Sequence, residues 1–117
     1  MPLVSILVPC RNAAPTLAAA LESCLGQSGV DKEIIVVDDG STDSSADIAR
    51  RFRQSGVKLL RGPGINASAA RNMALRESRG DYIQYLDADD CLGADKLRLQ
   101  VEVLESHPGC VATARWG

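Results

Sequence analysis

Two short runs, Leu3 to Val8 and Glu33 to Val37, are apolar and largely β-branched at nearly every position. A strand with one face in water alternates apolar and polar residues. A continuous run instead has both faces covered, as in a parallel sheet with helices above and below it. Parallel neighbours need a crossover of a dozen or more residues, and the stretch between the two runs supplies one. Pro15 stands where the first turn of a helix tolerates a missing N–H, and Leu17, Leu21, Cys24 and Leu25 then recur at helical spacing before Gly26 and Gly29. The chain therefore begins strand, helix, strand, joined by a right-handed crossover.

The remainder repeats that alternation. Ile48 and Phe52, with Ala46 and Ala49 beside them, mark a second helix that opens on Ser and Asp residues suited to capping and stops at Gly56. Val57 to Leu60 is a short third strand, and Gly62-Pro63-Gly64 is a turn. A third helix runs from Ala67 to Glu77, with Ala67, Ala70 and Ala74 on one face for close approach to the sheet, and Gly80 ends it. Tyr82 to Leu86 is a fourth strand, expected to be buried. Leu97, Val101 and Leu104 mark a fourth helix, stopped by His107-Pro108-Gly109, and Cys110 to Ala114 reads as a fifth strand. The expected fold class is α/β: one domain over residues 1–117, a Rossmann-like open parallel sheet with helices on both faces. With nothing after Gly117 to cover the last strand, the expectation is a chain truncated at its C-terminal end, or a domain that forms a homodimer through that strand.

Composition narrows the partners. A net charge of −2 gives no electrostatic reason to expect nucleic acid or an anionic membrane surface, and 3% aromatic content leaves little for base stacking. No run approaches a membrane span, and the apolar start lacks the basic residues of a signal peptide. The expected location is cytoplasmic, at the inner face of a membrane where a longer parent supplies an anchor. Cys10, Cys24, Cys91 and Cys110 form no C-x-x-C pair and read as small buried thiols in a reducing compartment.

Ligands of open parallel sheets bind beyond the carboxyl ends of the strands, at the switch in strand order. Three loops fall there: Pro9-Cys10-Arg11-Asn12, Asp38-Asp39-Gly40-Ser41 and Asp87-Ala88-Asp89-Asp90. The last packs three carboxylates into four residues, an arrangement that repels itself unless a cation sits between them. No G-x-G-x-x-G follows the first strand and no G-x-x-x-x-G-K-[ST] occurs anywhere. An acid-lined site works differently: a metal bridges carboxylates to a pyrophosphate and neutralises its charge. Asp87 and Asp89 are spaced for that role, and Asp38 or Asp39 is suited to accept hydrogen bonds from a base or ribose. The plainer readings are that Asp90 starts the next turn, that Ser41 to Asp43 cap the second helix, that Arg71 and Asn12 are ordinary surface and loop residues, and that His107 is a helix terminator.

Four motifs in order sharpen this. They are Val4-Ser5-Ile6-Leu7-Val8-Pro9-Cys10-Arg11-Asn12, then Ile35-Val36-Val37-Asp38-Asp39-Gly40-Ser41-Thr42-Asp43, then Ala70-Arg71-Asn72, and Gly80-Asp81-Tyr82-Ile83 leading to Leu86-Asp87-Ala88-Asp89-Asp90. From Val4 to Leu104 the chain resembles the amino-terminal, nucleotide-binding half of a family 2 glycosyltransferase with the GT-A fold, whose DxD segment matches Asp87-Ala88-Asp89. The resemblance implies a nucleotide-diphosphate sugar donor, often UDP-linked, Mg²⁺ or Mn²⁺, and a place in cell-surface polysaccharide synthesis. It implies Asp89 as the main metal ligand, with Asp87 on the ribose or the metal and Ala88 beside the donor. Asp38 or Asp39 would read the base, Pro9 to Asn12 would lie against the nucleoside, and Arg71 would approach base or phosphates. One departure is Arg11, where many relatives carry Tyr; a stacking contact there is lost or replaced by a guanidinium. The family's catalytic base and acceptor site follow the DxD half, so the base is expected beyond Gly117 and the acceptor is unspecified. This chain alone is expected to bind donor and transfer little or no sugar by the inverting reaction. Two rivals are a non-catalytic scaffold of the same fold and a receiver-like signalling domain. The second is disfavoured because strand one ends in Pro9-Cys10 and strand three in Arg61-Gly62, with no Lys after Cys110 to Ala114.

Overall fold

The first strand, β1 (Leu3–Cys10), is flanked by β2 (Asp31–Asp38) on one side and β4 (Tyr82–Tyr85) on the other. Outside β2 lies β3 (Val57–Arg61), so the strand order is β3-β2-β1-β4 with every pair parallel. This is a computed structural model that describes residues 2–107. The anticipated strand Cys110 to Ala114, and any dimer built on it, fall outside the described residues. Helices α1 (Ala14–Leu25), α2 (Ser45–Arg51), α3 (Ala67–Glu77) and α4 (Lys96–Ser106) connect or follow the strands, and a 3₁₀ turn, Phe52–Ser55, extends α2 to Gly56. None of the described helices is long and apolar enough to cross a membrane.

Side chains alternate across the sheet, which divides the core in two. Val4, Ile6, Val8 and Cys10 of β1 join Ile34 and Val36 of β2 against Leu17, Leu21 and Cys24 of α1, Ala49 of α2 and Leu97 of α4. On the opposite face Leu7, Ile35 and Val37 pack on Ala70 and Ala74 of α3. The helices on both faces and the parallel sheet match expectation. Ala67, placed on the same helical stripe by sequence, is exposed because α3 starts beyond the sheet end.

Several local expectations change. Pro9 does not end β1, which continues to Cys10 in register with Asp38. In a parallel strand alternate residues point their peptide groups to opposite neighbours; the Leu7 carbonyl accepts from Leu86 on the β4 side and the Cys10 carbonyl accepts from Asp39 on the β2 side. Pro9 therefore faces β4, past the end of its ladder, where no N–H is required. Gly80 does not end α3, which stops at Glu77 with Ser78 extended. A Cβ at Gly80 would lie 2.4 Å from the Ser5 hydroxyl and 2.6 Å from the Ser5 amide, so glycine is needed there for close approach to β1. The fourth strand is not buried among the described residues: it lies at the sheet edge, with Ile83 38% and Tyr85 42% exposed. Cys10 and Cys24 are buried thiols as expected, whereas Cys91 is exposed.

Candidate functional site

β1, β2 and β3 step outward in one direction, and β4 returns to the other side of β1. The switch point therefore lies between the carboxyl ends of β1 and β4. A cleft of about 420 Å³ opens there, lined by Pro9, Arg11 and Asn12 at the end of β1, Asp39 after β2, Asn66 at the cap of α3 with Ala67, Ala70 and Arg71 on it, and Asp87, Ala88 and Asp89 after β4. Loops far apart in sequence meet in one place.

The paired aspartates after β2 do not share that place. Strand alternation sends Asp38 to the α2 side, into a neighbouring hollow of about 650 Å³ with Arg50, Arg53 and Arg61, where its carboxylate accepts the Ser41 N–H at 3.4 Å. Asp39 turns toward α3 and the cleft, is 3% exposed, and accepts the Gly64 N–H at 2.6 Å. Gly62 lets the chain pass this carboxylate: a Cβ there would sit 2.9 Å from Asp39 Oδ1.

The Pro9 to Asn12 loop is clamped to the loop after β2. Asn12, in a left-handed conformation (φ 50°), donates its N–H to Ser41 Oγ at 2.9 Å and accepts the Thr42 N–H on Oδ1 at 2.8 Å. Asp43 accepts from Ala14 N–H at 3.1 Å and from Ser45 N–H at 2.9 Å, and its hydrogen bonds from Ser45 hold its carboxyl below the usual range. The Ser and Asp residues before α2 were anticipated as caps. Ser44 at the cap position makes no side-chain cap bond; Asp43 serves the first N–H of α2, and Ser41 and Asp43 also tie two loops together. Burial raises the Cys10 thiol above its ordinary value, with the Ser45 hydrogen bond opposing.

The turn after β4 has Ala88 pointing into the core and Asp87 and Asp89 exposed on either side. Asp90 N–H closes the turn on Asp87 O at 3.0 Å. Asp87, Asp89 and Asp90 each bring a carboxylate oxygen within 4.8 Å of the others. Three hard oxygen donors at that spread suit Mg²⁺ or Mn²⁺ after small side-chain rotations. Arg71 Nη2 lies 3.9 Å from Asp87 Oδ1, and Lys96, its pKa lowered by burial against the pull of Asp90, stands behind the turn.

Sequence reasoning missed Thr16 and Asn66, both of which line the cleft. Asn66 caps α3 by accepting the Ala69 N–H at 2.8 Å, and an Asn just before an Ala-rich helical run was the available signal. His107 closes α4 as expected.

Residues 5–117 match the family described as glycosyl transferase family 2. An uncharacterized glycosyltransferase of Haemophilus influenzae is 42% identical over 111 residues, which are 92% of this chain and 44% of that protein. The UDP-Glc:alpha-D-GlcNAc-diphosphoundecaprenol beta-1,3-glucosyltransferase WfaP of Escherichia coli is 36% identical over 108 residues, 92% of this chain and 43% of that one. The mannosyltransferase PcManGT from Pyrobaculum calidifontis, solved in complex with GDP-Man and Mn²⁺, superposes with a TM-score of 0.82 at 29% identity, over 88% of this chain and 32% of that one. This chain spans less than half the length of each of these proteins.

Proposed function

Because this chain belongs to glycosyl transferase family 2, we propose that its cleft binds a nucleotide-diphosphate sugar, a uridine one by preference, together with Mg²⁺ or Mn²⁺. The observation that carries the reading is the meeting of Asp39 and the Asp87–Asp89 turn on one cleft at the switch point. Asp89 is assigned as principal metal ligand, with Asp87 on the metal or the ribose; a bound cation would neutralise the diphosphate and stabilise it as a leaving group. Asp39, rather than Asp38, is assigned to the base, because strand alternation turns it toward the cleft. Pro9, Arg11 and Asn12 form the nucleoside wall, and Ala88 sets the floor between the two acids. Arg71, already beside Asp87, and the capped amino end of α3 favour the phosphate charge. The uridine preference is supported by the UDP-Glc donor in the name of the E. coli relative; the GDP-Man of the archaeal structure makes guanosine the competitor to test.

In this reading the cleft's carboxylates serve the donor. The base that deprotonates an acceptor hydroxyl for inverting transfer, and the acceptor itself, are assigned outside the described residues. Calorimetric titration of UDP into the 117-residue chain with Mn²⁺ present tests the site. Binding that needs Mn²⁺, and is lost in Asp89→Asn, is the expected result. Equal binding in Asp89→Asn, or none in the parent, would leave a scaffold of the same fold. Turnover of a UDP-sugar onto an acceptor at enzyme-like rates by this chain would overturn the division of labour.

A further inference from the structure

On the face of α1 that meets the acidic turn, three polar side chains recur at helical spacing: Thr16, Ser23 and, just past the helix end, Gln27. Positions seven and four apart lie on one stripe. Each of the three holds the backbone that runs through and out of the acidic turn. Thr16 Oγ1 donates to the Ala88 carbonyl at 2.9 Å, midway between Asp87 and Asp89. Ser23 Oγ accepts the Leu92 N–H at 3.0 Å. Gln27, 3% exposed, donates to the Gly93 carbonyl at 2.7 Å and accepts the Leu97 N–H at 3.1 Å, which joins the loop to the first turn of α4.

An isolated carboxylate turn at the end of an edge strand has little to fix it. Among the described residues β4 gives the turn neighbours on one side only, and Asp87 and Asp89 are exposed. The Ala88 side chain is buried, so its carbonyl must find a partner among protein groups or turn outward to water. Turning it outward would rotate the single Ala88–Asp89 peptide plane and so change the orientation of Asp89 relative to Asp87. The hydroxyl of Thr16 removes that option.

We propose that the polar stripe Thr16–Ser23–Gln27 of α1 is the positioning element of the acidic turn, with Thr16 setting the mutual orientation of Asp87 and Asp89 through the Ala88 carbonyl. These are positioning residues: they act on a ligand through the carboxylates. The inference rests on the donor-site reading only for what the carboxylates hold; the anchoring of the turn stands on its own geometry.

The test uses the 117-residue chain with Thr16→Val, Thr16→Ser and Gln27→Met, beside Asp89→Asn. Amide hydrogen exchange without any ligand is the first readout. Exchange at Asp90, Leu92 and Leu97 rises about tenfold or more in Thr16→Val or Gln27→Met while the β1 and β2 amides keep their protection. Mn²⁺ affinity, followed by the free-ion spin resonance signal, is the second. Thr16→Val weakens it about tenfold, the scale of losing an outer-shell partner, and Thr16→Ser restores it to within about twofold. Unchanged exchange in the turn overturns the anchoring. Raised exchange with parental Mn²⁺ affinity in Thr16→Val, when Asp89→Asn has lost it, overturns the positioning role. Parental Mn²⁺ affinity in Asp89→Asn overturns the donor-site reading instead, and raised exchange still upholds the anchoring.

Discussion

Asp39 and Asp89 border the same cleft but are held in opposite ways. Asp39 is 3% exposed, accepts the Gly64 N–H, and is closely approached by Gly62. Asp89 is exposed, on a turn closed by the Asp90 N–H on the Asp87 carbonyl and held by Thr16 at the Ala88 carbonyl. A buried, bonded carboxylate is part of the fold, and removing it leaves its partner unsatisfied. An exposed carboxylate in a cluster remains available to a cation. The cleft thus joins a buried, bonded carboxylate to an end whose carboxylates are largely exposed.

The largest expected effect separates the two ends. Asp89→Ala lowers Mn²⁺-dependent UDP affinity by about 100-fold while shifting unfolding free energy by no more than about 0.5 kcal/mol, as for other exposed sites. Asp39→Ala does the reverse in stability, losing roughly 1–3 kcal/mol by urea denaturation as the Gly64 amide loses its partner. If both variants unfold alike, the contrast fails.

Gly62→Ala probes the buried end without touching a carboxylate. Its Cβ would fall 2.9 Å from Asp39 Oδ1 and 3.0 Å from Val37 Cγ1, so overpacking of about 1–3 kcal/mol is expected, together with weaker UDP binding in the presence of Mn²⁺. Retained stability would mean that the Asp39 pocket yields more than its packing implies.

A pH series tests the buried thiols beneath the site. Burial pushes Cys24 up to about 12 from 9.0 and also raises Cys10. The unfolded chain therefore loses these protons first as pH rises. The stability they contribute is intact below about pH 9 and declines toward pH 12, by roughly 1.4 kcal/mol per pH unit for each thiol still protonated in the folded state. Urea midpoints at pH 8 and pH 10 under reducing conditions read the slope, and Cys24→Ala flattens it.

The smallest effect is at Arg71. Its 3.9 Å pair with Asp87 joins two exposed groups and contributes at most a few tenths of a kcal/mol to folding. Arg71→Ala leaves the urea midpoint unchanged and lowers UDP affinity by about threefold at low salt, less at high salt.

Legibility followed the range of the forces involved. The span of α3, Ala67 to Glu77, was readable because helical periodicity is local. The three loops of the cleft were readable because parallel topology alone sends strand ends to one side. Thr16 was not, since a lone Thr in an Ala-rich helix has no sequence mark of the Ala88 carbonyl it meets 72 residues later. Gly80 was misread as a helix stop because its reason, contact with Ser5, is equally distant along the chain. The Asp43 carboxylate does serve the first amide of α2, as local reasoning expects, but the bridge that Asp43 and the Ser41 hydroxyl make to the loop after β1 has no local mark.

By itself the sequence determined the alternation of strands and helices, the parallel sheet that follows from continuously apolar strands, and the acids at the strand ends. Those rest on periodicity and on the hydrophobic effect, which act through neighbours along the chain. Only the tertiary structure decided which aspartate of the pair faces the cleft, why Pro9 is tolerated within β1, and what steadies the Asp87–Asp89 turn. Each depends on which side of a strand a group leaves from and on what the crossover brings opposite it, and that is settled only when distant segments pack.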